Sequence, residues 1–231
     1  MLEAFLYLHI VLMVFWLGGD LGVFYSSRYV IKPDLTPVAR LTALKIMLGL
    51  DLGPKICLIL FLPSGLTLIS LDAHGGSVAG IELLPWWLLV PLWIGAFVWV
   101  WLMWTDHHEP GKHPLVRRVD YAIRLAVIAG MAGAGVFTLV VSEPFGVTTN
   151  PKWLGAKVLL YAIAIAAGLG IRRTLKPFGP AFGAVMAGKS DTRVEATVTS
   201  SVNGCLPYVW VIWGSVLLAG LLGVAKPLAN L

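Results

Sequence analysis

Apolar and polar positions alternate along this chain in long blocks. Six apolar segments, 3–31, 53–71, 84–104, 121–141, 153–171 and 206–224, are separated by short polar stretches. A helix rises about 1.5 Å per residue, so about 20 residues cross the hydrocarbon of a bilayer. Six crossings use most of the chain and leave no room for a soluble domain. The pattern predicts an all-α polytopic membrane protein, a bundle of about six transmembrane helices forming one domain over residues 1–231. The first segment has no charge between Glu3 and Asp20 but carries one polar stripe: His9, Met13, Trp16, Asp20 and Ser27. These residues fall within about 40° of one line, because a helix turns about 100° per residue. Ionisable groups in lipid cost a few kcal/mol each, so the stripe is expected to face partner helices, a cofactor or water.

Composition narrows the class. The chain is 58% hydrophobic and 13% charged, with mean hydropathy +0.84, which excludes an ordinary soluble domain and a disordered chain. Lys and Arg concentrate after the first, third and fifth segments, while the stretches 71–84 and 142–152 hold only Lys152. The positive-inside bias makes the basic loops cytoplasmic and puts both termini on the outer, periplasmic side of a bacterial inner membrane. The first segment lacks a basic n-region and a small-x-small cleavage site, so it reads as a retained span. The net charge of +5 reflects this loop asymmetry and forms no groove for a phosphate backbone, which argues against nucleic acid as a partner. Cys57 and Cys205 fall near cytoplasmic ends, where packing is the simpler role than a disulfide. Six methionines and no Met- or His-rich outer segment disfavour a copper carrier.

Residues 32–51 read as an amphipathic cytoplasmic approach helix, opened by Pro33 and Pro37 and closed near Gly53-Pro54, with Lys55 just inside span two. Tryptophans 86, 87, 93, 99, 101 and 104 suit a headgroup belt, and Gly18 with Gly22 suits close helix contact. Counting depth along the spans brings His9 and Lys157 level, with Tyr161 one turn further in. Ala164 and Gly168 continue that face as a slot for a flat ring or another helix, with Glu143 and His74 near its mouth. Asp20 lies about 16 Å beyond His9, level with Lys55. An Asp20–Lys55 ion pair is the simpler reading and a proton relay the alternative, with Arg28 and Asp51 in the same inner cluster.

His9 admits two readings: an interhelical hydrogen-bond donor, or a ligand to haem or a metal, with Met13 or another helix on the opposite face of the ring. The other histidines, 74, 107, 108 and 113, lie in loops, so this chain builds no bis-histidine haem at mid-membrane. The loop 106–113 gathers three imidazoles around Pro-Gly, but its spacing matches no zinc signature and a solvated turn is the simpler reading.

Several short pieces then line up with one superfamily. His9-Ile-Val-Leu-Met-Val-Phe-Trp16-Leu-Gly-Gly resembles the opening helix of HemJ-type and CopD-type membrane proteins, with Arg28 where HemJ proteins carry an arginine. Trp153-Leu-Gly-Ala-Lys157-Val-Leu-Leu is similar to the HemJ segment Trp-Leu-His-Ala-Lys-Leu. Val224-Ala-Lys226-Pro227 resembles its terminus, and Gly53-Pro54 its Thr-Pro step. Gly155 stands where the second segment has histidine, and Gly168-Leu169 where a histidine pair follows.

The resemblance implies a haem-associated oxidase of protoporphyrinogen IX. By the resemblance His9 and Lys157 carry the family's roles, with His9 the ligand; joined with the stripe and the depth count, His9, Met13, Arg28 and Lys157 are expected to hold haem b, and His9, Lys157, Tyr161 and Asp20 to serve the chemistry. Electrons would leave to quinone or a partner haem protein, since the chain carries no flavin or nucleotide fold. The missing histidines point to an alternative, a non-catalytic subunit anchoring a larger respiratory or photosynthetic complex. A transporter built on a half-broken helix at Gly53-Pro54 and on the Asp20–Lys55 pair is the third class.

Overall fold

The computed structural model describes residues 1–71, 86–144 and 152–225, apart from the Trp86 side chain. His74 and the Lys226-Pro227 terminus lie outside the described residues. The chain forms α1 (Leu2–Val30), α2 (Pro37–Leu71), α3 (Trp86–His108), α4 (Pro114–Val140), α5 (Lys152–Thr174), α6 (Phe178–Met186), α7 (Thr192–Asn203) and α8 (Leu206–Ala225). Among the described residues there is no strand, and six helical segments are long and apolar enough to cross a membrane. The architecture is that of a multi-pass membrane protein, with most of the helix surface apolar and outward-facing.

The long helices close into a ring in the order α1, α2, α3, α4, α5, α8, and α8 returns to α1. Leu12, Trp16, Ile59, Trp99, Met103, Ile165 and Val216 fill its centre. The short helices α6 and α7 cover a second apolar cluster of Val30, Phe182, Val185 and Val198, at the end of the bundle that holds the basic loops.

The expected approach helix over 32–51 is not separate. α2 runs without a break from Pro37 to Leu71, with Pro54 and Pro63 inside it. A proline inside a helix removes one ladder bond and ordinarily kinks or breaks it. Here the Pro54 ring lies against the bare backbone of Gly19 on α1, where a Cβ would come within 2.6 Å of Pro54 Cδ. One turn further along, a Cβ on Gly22 would meet Leu50 at 2.7 Å. The close-packing pair on α1 is therefore Gly19 with Gly22, since Gly18 faces open space. α4 and α5 approach in the same way through Gly135 and Gly155: a Cβ on Gly155 would lie 2.9 Å from that of Thr138. Histidine, which the resemblance places at 155, has no room against α4.

Two buried charge clusters tie the basic end together. Asp120, fully buried, accepts from Trp99 Nε1 at 2.8 Å, Arg172 Nη1 at 2.8 Å and Arg124 Nε at 3.1 Å, joining α3, α4 and α5. Arg40 donates Nε to the Val30 carbonyl at 2.8 Å and both terminal nitrogens to Glu195 at 2.9 Å, clamping α2 to the end of α1 and to α7. Trp99 thus belongs to the interior, and Trp93 donates to Thr67 at 3.0 Å. Trp87, Trp101 and Trp104 alone among the described belt candidates are exposed.

Removing a partner from a buried charge cluster strands the remaining charge and costs about 3–5 kcal/mol. Asp120→Ala is expected to lower stability by that amount, and Gly19→Val by about 1–3 kcal/mol through overpacking. Gly18→Val, into open space, stays near wild type. Unfolding of the purified variants in mixed micelles checks all three.

Candidate functional site

One cavity of about 380 Å³ lies between α1, α2, α5 and α8, at the end of the bundle opposite α6 and α7. His9, Met13 and Trp16 reach it from α1, Phe61 and Gly65 from α2, Lys157, Tyr161 and Ala164 from α5, and Ser215, Gly220 and Gly223 from α8. The structure therefore brings together His9, Met13, Lys157 and Tyr161, the four residues that depth counting and resemblance had associated.

His9 is buried, and its Nδ1 lies 2.8 Å from Ser64 Oγ. The Ser64 hydroxyl also lies 3.2 Å from the Phe61 carbonyl, to which it donates. A serine hydroxyl has a single proton. With that proton given to Phe61, Ser64 accepts from His9 Nδ1–H and Nε2 is left as an acceptor; with it given to Nδ1, Nε2 carries the ring proton. The Phe61 ring packs on the imidazole at 4.5 Å between centroids and on Trp16 at 5.4 Å, so the histidine is held by an aromatic wall as well as by Ser64.

Lys157 lies close enough to His9 for the two to interact electrostatically, and its stem crosses to α8. A Cβ on Gly223 would lie 2.8 Å from Nζ, and one on Gly220 would lie 2.8 Å from Met13 Sδ. These two glycines leave α8 bare where the side chains of α1 and α5 reach it. Tyr161 donates its hydroxyl to the Leu58 carbonyl at 2.7 Å, tying α5 across the bundle to α2. Its proton is engaged in that structural bond.

Sequence reasoning missed Ser64, Phe61, Gly220 and Gly223. The available signals were weak: a lone serine after Pro63, and a Gly-x-x-Gly spacing in the last span.

Arg28 and Asp20 lie elsewhere. Arg28 is 19 residues, about 28 Å, along α1 from His9. It donates to Asn203 at 2.9 Å and sits over the Phe24 ring, so it belongs to the basic end and not to the His9 cavity. Asp20 lies beside the Trp16 and Trp213 indoles and near Asp51. The expected Asp20–Lys55 pair is replaced by Lys55 with Asp51, one turn apart on α2. An i, i+4 partner on the same helix needs no reach across the α1–α2 contact. Gly168 is not part of the cavity wall, and Glu143 is exposed.

His107 and His108 lie in the last turn of α3 and not in a loop, and beyond them Gly111 turns the chain at φ 86. Glu109 there accepts from His113 at 2.7 Å and Lys112 at 3.4 Å, and these bonds hold its carboxyl below the usual range. His108 instead stacks on Trp104 at 4.3 Å. The imidazoles are thus committed in different directions, and no three metal-ligating side chains gather among the described residues.

Comparison with protein-family models, characterised proteins and solved structures finds no match to the chain.

The tautomer is measurable. In ¹⁵N-histidine spectra, His9 is expected in the Nδ1–H form in the wild type and as a mixture of forms in Ser64→Ala, which should also lose about 1–3 kcal/mol of stability through the unpaired buried donor. A wild-type His9 protonated on Nε2 would mean that Ser64 donates to Nδ1 instead.

Proposed function

We propose that the protein is an integral membrane redox protein that holds one b-type haem in the α1/α2/α5/α8 cavity, in the manner of the HemJ and CopD superfamily. The observation that carries this reading is His9: an imidazole with Nδ1 tied to Ser64, on the wall of an apolar cavity with a cation nearby. Metal-ligating histidines commonly have their second ring nitrogen oriented by a hydrogen bond in this way.

The donor set fits a ring held from one side. Met13 is four residues from His9 on the same helix, so both side chains leave α1 on one face and cannot sandwich a ring between them. His9 would be the cavity residue that holds the iron, with Met13 beside it on the same face of α1. The Lys157 ammonium suits a propionate or another carboxylate. The cavity volume lies within the range of about 300–1,000 Å³ usual for small-molecule sites. When bound, haem supplies one-electron redox chemistry. The chain's own residues orient the imidazole through Ser64, exclude water with Phe61 and Trp16, and hold the ring's acidic edge with Lys157. Asp20, beyond Trp16 towards the basic end, is the residue placed to link the site with the inner surface as a proton relay. In this reading the cavity lies in the outer half of a bacterial inner membrane with both termini outside. Protoporphyrinogen is the substrate class to assay first, and electrons leave to quinone or a partner haem protein.

The transporter alternative loses its half-broken helix, since α2 is continuous through Gly53-Pro54.

The test is a reduced-minus-oxidised absorption spectrum of the protein purified in detergent. Haem bands are expected in the wild type and absent from monodisperse His9→Ala. Lys157→Met is expected to retain haem about tenfold more weakly, the loss of one charge-assisted contact worth about 1.4 kcal/mol. A colourless wild type sinks the redox reading and leaves the non-catalytic subunit of a larger membrane complex.

A further inference from the structure

The cavity wall is also part of the outer surface of the bundle. Leu2, Leu6 and Ile10 form one ridge of α1, four residues apart. They line the cavity and are at the same time 37%, 49% and 47% exposed on the face that meets lipid. The facing edge of α8 is Gly220, Gly223 and Val224, and Val224 is 87% exposed. Among the described residues, the α1–α8 seam is the thinnest contact in the ring. Its two edges carry a row of apolar side chains on one helix and bare backbone on the other. The contact that narrows it is Met13 against Gly220, about one turn further into the bundle than Ile10.

We infer that the cavity is loaded sideways from the lipid, through the seam between α1 and α8, by a membrane-dissolved flat ring molecule carrying a carboxylate. The seam selects for this class by its chemistry. Among the described residues its edges offer hydrocarbon and bare glycine backbone, so an apolar body passes in a lipid-like medium. Among the described residues, the first strongly polar group lining this route is the Lys157 ammonium, which lies against Gly223 at the α8 edge. The carboxylate is therefore engaged at the seam while the ring slides inward towards His9 and Trp16. Met13 is the flexible element: an unbranched thioether that can swing away from Gly220 without moving a helix. A water-soluble anion gains nothing from this route, because reaching Lys157 through the seam means crossing hydrocarbon first.

This inference rests on the reading of the cavity as a ligand site, and one experiment separates the two. Protoporphyrin IX, a fluorescent ring with carboxylates, is mixed with proteoliposomes of the full chain, and energy transfer from the protein's tryptophans reports loading. Ile10→Phe narrows the seam from its lipid-facing edge. Gly220→Leu fills it opposite Met13. Val14→Phe, at a position 58% exposed and away from the cavity, is the control. Loading of Ile10→Phe and Gly220→Leu is expected to slow about tenfold, as for binding that must wait on a conformational opening, while Val14→Phe loads at the wild-type rate. Ile10→Phe alters a surface position, so it tests the route even if Gly220→Leu does not assemble. Saturable loading of both seam variants at the wild-type rate overturns the lateral route and leaves the ligand site standing. No saturable loading of the wild type withdraws the ligand site and the route with it.

Discussion

The contact between Gly19 on α1 and the Pro54 ring on α2 sets the register on which the site depends. α1 and α2 are antiparallel, so ten residues back along one is matched by ten residues forward along the other. Gly19 opposite Pro54 therefore puts His9 opposite Ser64, and the observed hydrogen bond of 2.8 Å between them follows from that alignment. A side chain at 19 would push the helices apart at the Pro54 contact and carry the shift along the pair. The proline that reads in sequence as a helix break is here a packing surface. Its missing N–H costs one ladder bond, and its ring fills the groove that the glycine leaves.

Polar groups inside this bundle divide by what they contact. Asp120, Arg124 and Arg172 meet around a fully buried carboxylate with the Trp99 indole, and Arg40 and Glu195 meet through two parallel bonds. Both clusters join three helical elements and both lie towards the basic end. In a medium without water, such groups hold helices at fixed distances because any separation leaves a charge uncompensated. His9 is different. One ring nitrogen is engaged by Ser64, and the ring lines a cavity. Fixing one side of an imidazole on a cavity wall is the arrangement expected of a ligand or a base more than of a structural bolt.

The glycines of α8 connect this chemistry to the surrounding lipid. Gly220 and Gly223 give up side-chain packing at the α1–α8 seam, and Met13 and Lys157 occupy the space. Gly135 and Gly155 achieve the opposite effect between α4 and α5, where two bare backbones meet and the seam is tight. The same residue type thus opens one interface and closes another, according to what the facing helix presents.

The number of spans, the inward-facing stripe on α1 and the level of His9 with Lys157 were all legible in the sequence, whereas the start of α2 at Pro37 was not. The legible features follow from helix periodicity and rise per residue acting along one segment. The partners of those residues were not legible. Ser64 reads as an ordinary serine and Gly155 as a missing ligand until α2 and α4 are seen beside them. Asp20 with Lys55 was a sound expectation by depth, yet Lys55 found Asp51 on its own helix, and Arg28 matched a motif while lying some 28 Å from the site along α1. A single helix specifies depth and facing direction. Which helix stands across from it, and in which register, is decided by close packing between segments distant in the chain, here a glycine against a proline ring.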